Sequence, residues 1–97
     1  MSLRWKDELT DQLCEAFLSL KNIEEIYDFL EDVATVSEIK AFSQRLQVAK
    51  LLLRGDSYPQ ISKGTGASTA TISRVKKTVD YGKDALKLAL DRLEEKE

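Results

Sequence analysis

Apolar residues return every three or four positions along most of the chain. Between residues 3 and 20 they fall at Leu9, Leu13, Ala16, Phe17 and Leu20, with acids and lysines between them, a spacing that predicts an amphipathic helix. Asn22 followed by Glu25 reads as a capped helix start, after which Ile23, Ile26, Tyr27, Leu30 and Val33 share one face. Thr35 and Glu38 repeat that signal. They open a longer helix striped by Ile39, Phe42, Leu46, Ala49 and Leu53, and Gly55 closes it where a left-handed backbone is wanted.

Turn chemistry then becomes denser, with three of the four glycines inside residues 55–66. Ser57 with Gln60 is another capping box, and Pro59 falls in the first turn, where its missing N–H costs nothing. This short helix carries Ile61 and is expected to stop near Gly64. Gly66 supplies a turn, Ser68 caps the next helix, and Thr69 to Thr78 turn Ile72 and Val75 inward. After Asp80-Tyr81-Gly82, a last helix points Ala85, Leu86, Ala89, Leu90 and Leu93 to the core. Six helices and no strand predict an all-α chain. It reads as one domain over 1–97: N-terminal helices over 1–55, a short helix pair over 57–78, and a helix over 80–97 completing the core.

Composition narrows the chemistry. The chain has no histidine, which removes imidazole acid–base catalysis, histidine metal ligands and a Ser-His triad together. Its one cysteine, Cys14, can form neither an intrachain disulfide nor a thiolate zinc cluster, and its helical setting makes it a core or interface thiol. Carboxylate pairs such as Glu24-Glu25 and Glu94-Glu95 lie on charged helix faces with no partner for acid–base work. The expectation is therefore no enzyme, no metal and no cofactor. No apolar run approaches the ~20 residues that cross a bilayer, and Arg4, Lys6, Asp7 and Glu8 leave no room for a signal-peptide core. A cytoplasmic protein without membrane partners is the expectation that follows.

Charge is segregated although it sums to −2. Residues 1–39 hold Arg4, Lys6 and Lys21 against ten acids, whereas residues 45–77 hold seven bases against Asp56 alone. A basic block in an acidic chain is the footprint of one face that meets a polyanion. Inside that block, Gln60 to Arg74 reads as a helix-turn-helix. Ile61 and Ile72 are spaced to pack the helices together, Ser62 is small at their approach, and Gly66 takes the turn. Thr69, Ala70 and Ser73 are short enough to sit deep in a major groove ~12 Å wide and read base edges. Arg54, Tyr58, Lys63, Ser68, Thr71, Arg74, Lys76 and Lys77 are placed for the sugar–phosphate backbone. The competing reading is a protein-interaction module whose working surface is the acidic helices of residues 1–39. Leu3 and Trp5, at the start of those helices, fit a seam between subunits.

The sequence around this motif resembles the Trp repressor family. Leu53-Arg54-Gly55-Asp56 and Gly66 to Arg74 carry the likeness, and Thr35 to Thr78 follow the family spacing without a gap. Glu24 to Leu30, Thr69 to Lys76, and Tyr81-Gly82 with the later Ala89-Leu90-Asp91-Arg92 are similar to its YerC/YecD branch, so the likeness covers nearly the whole chain. The resemblance implies an intertwined homodimer that presents two reading heads to a double-stranded DNA operator as a transcriptional repressor. In tryptophan-binding members two arginines sandwich the indole, which the resemblance places on Arg45 and Arg74, with hydroxyls at Thr35 and Thr78. The glycine that leaves room for the ring is Val75 here, and Glu31-Asp32-Val33-Ala34 brings acids to the ligand's entrance. L-Tryptophan is therefore not the expected corepressor, and the identity of any small effector stays open.

Overall fold

The computed structural model describes residues 3–96. Six helices follow in order: α1 (Glu8–Ser19), α2 (Ile23–Val33), α3 (Val36–Arg54), α4 (Tyr58–Thr65), α5 (Thr69–Tyr81) and α6 (Ala85–Glu95). The fold is all-α, with no strand among the described residues. Two compact units result, one ending at Val36 and the other beginning at Ser37. No helix is long and apolar enough to cross a membrane, among the described residues.

In the first unit, α1 starts later than its apolar spacing suggested. The Asp7 carboxylate accepts the Thr10 N–H at 2.9 Å, and the Thr10 hydroxyl accepts the Asp7 N–H at 2.8 Å. This reciprocal cap fixes the helix start at Glu8 and leaves Leu3 to Lys6 outside the helix. The bond from Thr10 also holds the Asp7 carboxyl below its ordinary pKa. Asn22 caps α2 as expected, its side chain accepting the Glu25 N–H at 2.9 Å. The Glu25 carboxylate reaches one residue further back than a standard box, to the Lys21 N–H at 2.9 Å. Phe17 and Phe29 meet edge to face with ring centroids 5.0 Å apart. Yet neither helix buries a residue: Leu18 is 87% exposed and Leu9 77%, and Cys14 is exposed too.

The second unit contains the buried core. α3 opens directly after Thr35, where its start signal placed it, and ends in a Schellman arrangement. Asp56 N–H donates to the Leu51 carbonyl and Gly55 N–H to that of Leu52, with Gly55 at φ +90°. Val48, Ala49 and Leu51 of α3 pack with Ile61, Ala67, Ile72 and Val75. Full burial of Ile61, Ile72 and Val48 contributes about 1.5–3 kcal/mol each. The expected α3 stripe is split, because Phe42 and Leu53 stay exposed while Val48 and Leu51 turn inward. The helix is almost wholly apolar between Val48 and Leu53, and packing buries Val48, Ala49 and Leu51 and leaves Leu53 exposed.

Past Thr78 the structure departs from the expected boundary. α5 continues to Tyr81, with a Lys76–Asp80 ion pair of 2.8 Å spanning its last turns. Asp84 then turns the chain at φ +62° and gives α6 no side-chain cap. Leu86 and Leu90 of α6 pack against the core, but Ala85, Ala89 and Leu93 of the expected inward row remain exposed.

Candidate nucleic-acid interface

The α4–α5 pair is built by local signals that agree with one another. Ser57 caps α4, accepting the Gln60 N–H at 3.3 Å, while the Gln60 side chain accepts the Ser57 N–H at 2.8 Å. Pro59 sits in the first turn, and Tyr58 lies half-buried against the core. Gly64 does not end the helix but lies within its last turn. Gly66 does end it, at φ +75°; a Cβ there would touch nothing within 4 Å, so conformation and not space calls for glycine. Three further bonds brace the turn. The Ser62 hydroxyl donates to the Ala67 carbonyl at 2.9 Å, the Thr65 hydroxyl accepts the Ala67 N–H at 3.1 Å, and the Gln44 amide donates to the Thr65 carbonyl at 3.2 Å.

Ser68 caps α5 by accepting the Thr71 N–H at 3.1 Å, and its hydroxyl lies 3.1 Å from that of Thr71. The Thr71 side chain is thus engaged at the cap. Ile72 and Val75 point into the core, which leaves Thr69, Ala70, Ser73, Arg74, Lys76 and Lys77 on exposed positions of α5. The cations around this surface differ in their state. Lys63, Arg74 and Lys77 make no salt bridge among the described residues. Arg54 is 3.9 Å from Asp56, a weak contact. Lys76 is held by Asp80, and that hydrogen bond together with the charge attraction raises its pKa.

Beside this surface a cleft of about 440 Å³ is lined by Phe42, Arg45, Arg74, Val75, Thr78 and Leu86. Four residues singled out from the sequence, Arg45, Arg74, Val75 and Thr78, therefore share one recess. Thr35 belongs to the other unit. The Arg45 guanidinium stands 5.8 Å from the Phe42 ring centroid, within cation–π range. Val75 is 4% exposed, so its isopropyl group is a fixed part of the wall. Among the described residues no acid lines the cleft.

The model of the Trp repressor protein family matches residues 8–94. The chain belongs to the Trp repressor family. Within it the chain falls in the YerC branch: it is 53% identical over 87 residues to the uncharacterized protein YerC of Bacillus subtilis (strain 168), covering 90% of this chain and 84% of that one. A solved structure of a candidate Trp repressor from Staphylococcus aureus is similar at a TM-score of 0.89 and 46% identity, over 96% of both chains. A TrpR-like protein from Eubacterium eligens ATCC 27750 matches at a TM-score of 0.87 and 49% identity, over 91% of both chains.

In this Trp repressor family member, sequence reasoning missed the residues that hold the turn in place. Ala67 is a core residue at 2% exposure, although Gly66-Ala67-Ser68 reads as surface turn chemistry. The Gln44 bond to Thr65 joins positions 21 apart in the chain, and no local pattern announces it. The stacking of Arg45 over Phe42 was signalled only by their three-residue spacing on one helix, which puts them on the same face.

Proposed function

We propose that the chain is a dimeric, sequence-specific DNA-binding transcriptional regulator of the repressor type, working in the cytoplasm with α5 in the major groove. The observation that carries this reading is the braced α4–α5 pair with short exposed side chains on α5, beside Lys63, Arg74 and Lys77, which make no salt bridge among the described residues. Thr69, Ala70 and Ser73 are the base-reading set, and Arg54, Tyr58, Lys63, Ser68, Arg74, Lys76 and Lys77 face the backbone. Thr71 contributes through the cap it shares with Ser68. Selection of bound sequences from random duplexes is expected to return a preferred site with two half-sites one helical turn apart, ~34 Å. Its affinity should fall with salt by ~0.9 log units per log unit of salt for each neutralised phosphate. Exposed Leu9 and Leu18 favour a second reading, a protein-interaction module. Salt-insensitive binding, or none, to every duplex would decide for that module.

L-Tryptophan is not the corepressor in this reading. The Val75 isopropyl group occupies the wall beside Arg74, and accommodating an indole against it costs ~1–3 kcal/mol as overpacking. Calorimetry checks this directly. Saturable micromolar binding of L-tryptophan, coupled to a tenfold gain in duplex affinity (~1.4 kcal/mol), would contradict it. Val75→Gly is the converse: that change should permit indole binding.

A further inference from the structure

The α4–α5 pair is carried on α3 by packing that has no preferred direction. Ile61, Ala67, Ile72 and Val75 share one core with Val48, Ala49 and Leu51, and apolar burial alone tolerates small slides of one helix past another. The chain itself holds the pair at one point, the turn through Gly55 and Asp56. At the far end of α4, Gln44 supplies a second point: its side-chain amide donates to the Thr65 carbonyl at 3.2 Å. That carbonyl closes α4, beyond the reach of any later N–H of the helix. The Thr65 hydroxyl is already engaged, donating to the Ile61 carbonyl at 2.7 Å and accepting the Ala67 N–H. The side-chain bonds that cap and brace α4 and α5 from within join residues at most five apart, so they shape the pair without aiming it. The bond from Gln44 spans 21 positions. Gln44 stands about three turns before Gly55, roughly 16 Å along the axis of α3. A slip of ~1 Å at Thr65 swings the pair by ~4° over that lever.

We propose that Gln44 is a positioning residue that sets the angle of the reading helix on α3, and with it the half-site spacing that the dimer accepts. The inference rests on the dimeric DNA-binding reading above. In a dimer joined outside the α4–α5 pair, the distance between the two reading helices follows from that angle. A hydrogen bond of ordinary net strength favours the pinned angle over looser ones by up to about tenfold, so without it both are populated. A loosened pair accepts half-sites at a wrong spacing more readily. The side chains that α5 presents to each half-site stay the same.

The test uses Q44M in the whole protein, a change that keeps the length of the side chain and removes its donor. Duplexes carry the selected half-sites at the selected spacing, or one base pair closer or further apart. The wild-type preference for the selected spacing should shrink at least about threefold in Q44M. Base preference inside a half-site and the salt slope should not change, a split that a residue serving stability alone does not produce. Amide exchange at Gly66 and Ala67, beside the lost bond, should quicken. Should Q44M fail to fold, Q44E keeps the shape and turns an acceptor on the carbonyl; its charge weakens all spacings alike and cancels in the ratio. A folded variant with unchanged spacing preference, a loss equal at every spacing, or unaltered exchange each overturns the proposal. A wild-type chain that selects no paired half-sites, while exchange still quickens in the variant, shows instead that the DNA reading has failed; the spacing role falls with it, and the Gln44 bond stands as a structural tie alone.

Discussion

Sedimentation at micromolar concentration should report twice the mass of the 97-residue chain, with no cooperatively folded monomer at any dilution. The expectation comes from what the first unit leaves in solvent. α1 and α2 together bury no residue, and Leu9, Leu18, Ile23, Tyr27 and Val33 are all more than half exposed. Helices of 12 and 11 residues are marginal in water on propensity alone and need an apolar face covered. A chain this short buries only ~60–68% of its unfolded surface, and a core shared between two copies offsets that deficit. Since folding and association are then one reaction, the melting midpoint should fall on dilution. Ile26→Glu places an unpaired charge on the α2 apolar face, where burial against a second copy costs several kcal/mol. It should abolish the dimer and most of the α1–α2 helical signal together. Glu24→Gln on the same helix should change neither. A monomer that melts cooperatively with midpoints independent of concentration would refute the shared core.

Much of the fold could be read from the chain, and the reason is that its signals are local. Asn22, Ser57 with Gln60, and Ser68 each cap the helix their position announces, because a cap joins residues only three apart. Ile61, Ile72 and Val75 are buried as their period requires. The start of α1 was missed because its cap pairs Asp7 with a threonine and not with a glutamate. The end of α5 was missed because nothing before Gly82 forces a stop, and the Lys76–Asp80 pair supports the extra turn. The α3 stripe was legible only in part: Ala49 is buried and Ile39 and Leu46 half-buried as their period requires, but Val48 to Leu53 is almost wholly apolar, and tertiary packing buries Val48 and Leu51 while Leu53 stays exposed. The site follows the same division. Which side chains α5 exposes was legible, whereas the charge state of the surface was not, since pairing with Asp80 depends on where the helix ends.

That pairing separates the lysines of the α4–α5 surface in a measurable way. Lys77 and Lys63 have no acid partner among the described residues, so each phosphate contact releases a full counterion. Lys77→Ala and Lys63→Ala should each weaken binding to all sequences alike and reduce the salt slope by about one unit. Lys76 must exchange Asp80 for a phosphate, and the local charge of the pair is already near zero. An exposed pair of this kind is weak, so the exchange is feasible but gains less. Lys76→Ala should therefore lower the slope by clearly less than one unit. Asp80→Asn should do the opposite, strengthening binding to every duplex and steepening its salt dependence. Thr69 is of another kind: it is exposed in the first turn of α5, and the proposed function gives its short hydroxyl a base edge to read. Thr69→Ala should leave the salt slope unchanged and shift the preferred sequence, with about 1–3 kcal/mol of discrimination lost at one base pair. Five variants measured on two duplexes across a salt series are enough to tell these outcomes apart. If Thr69→Ala and Lys77→Ala lowered affinity in the same uniform way, α5 would not be the reading helix.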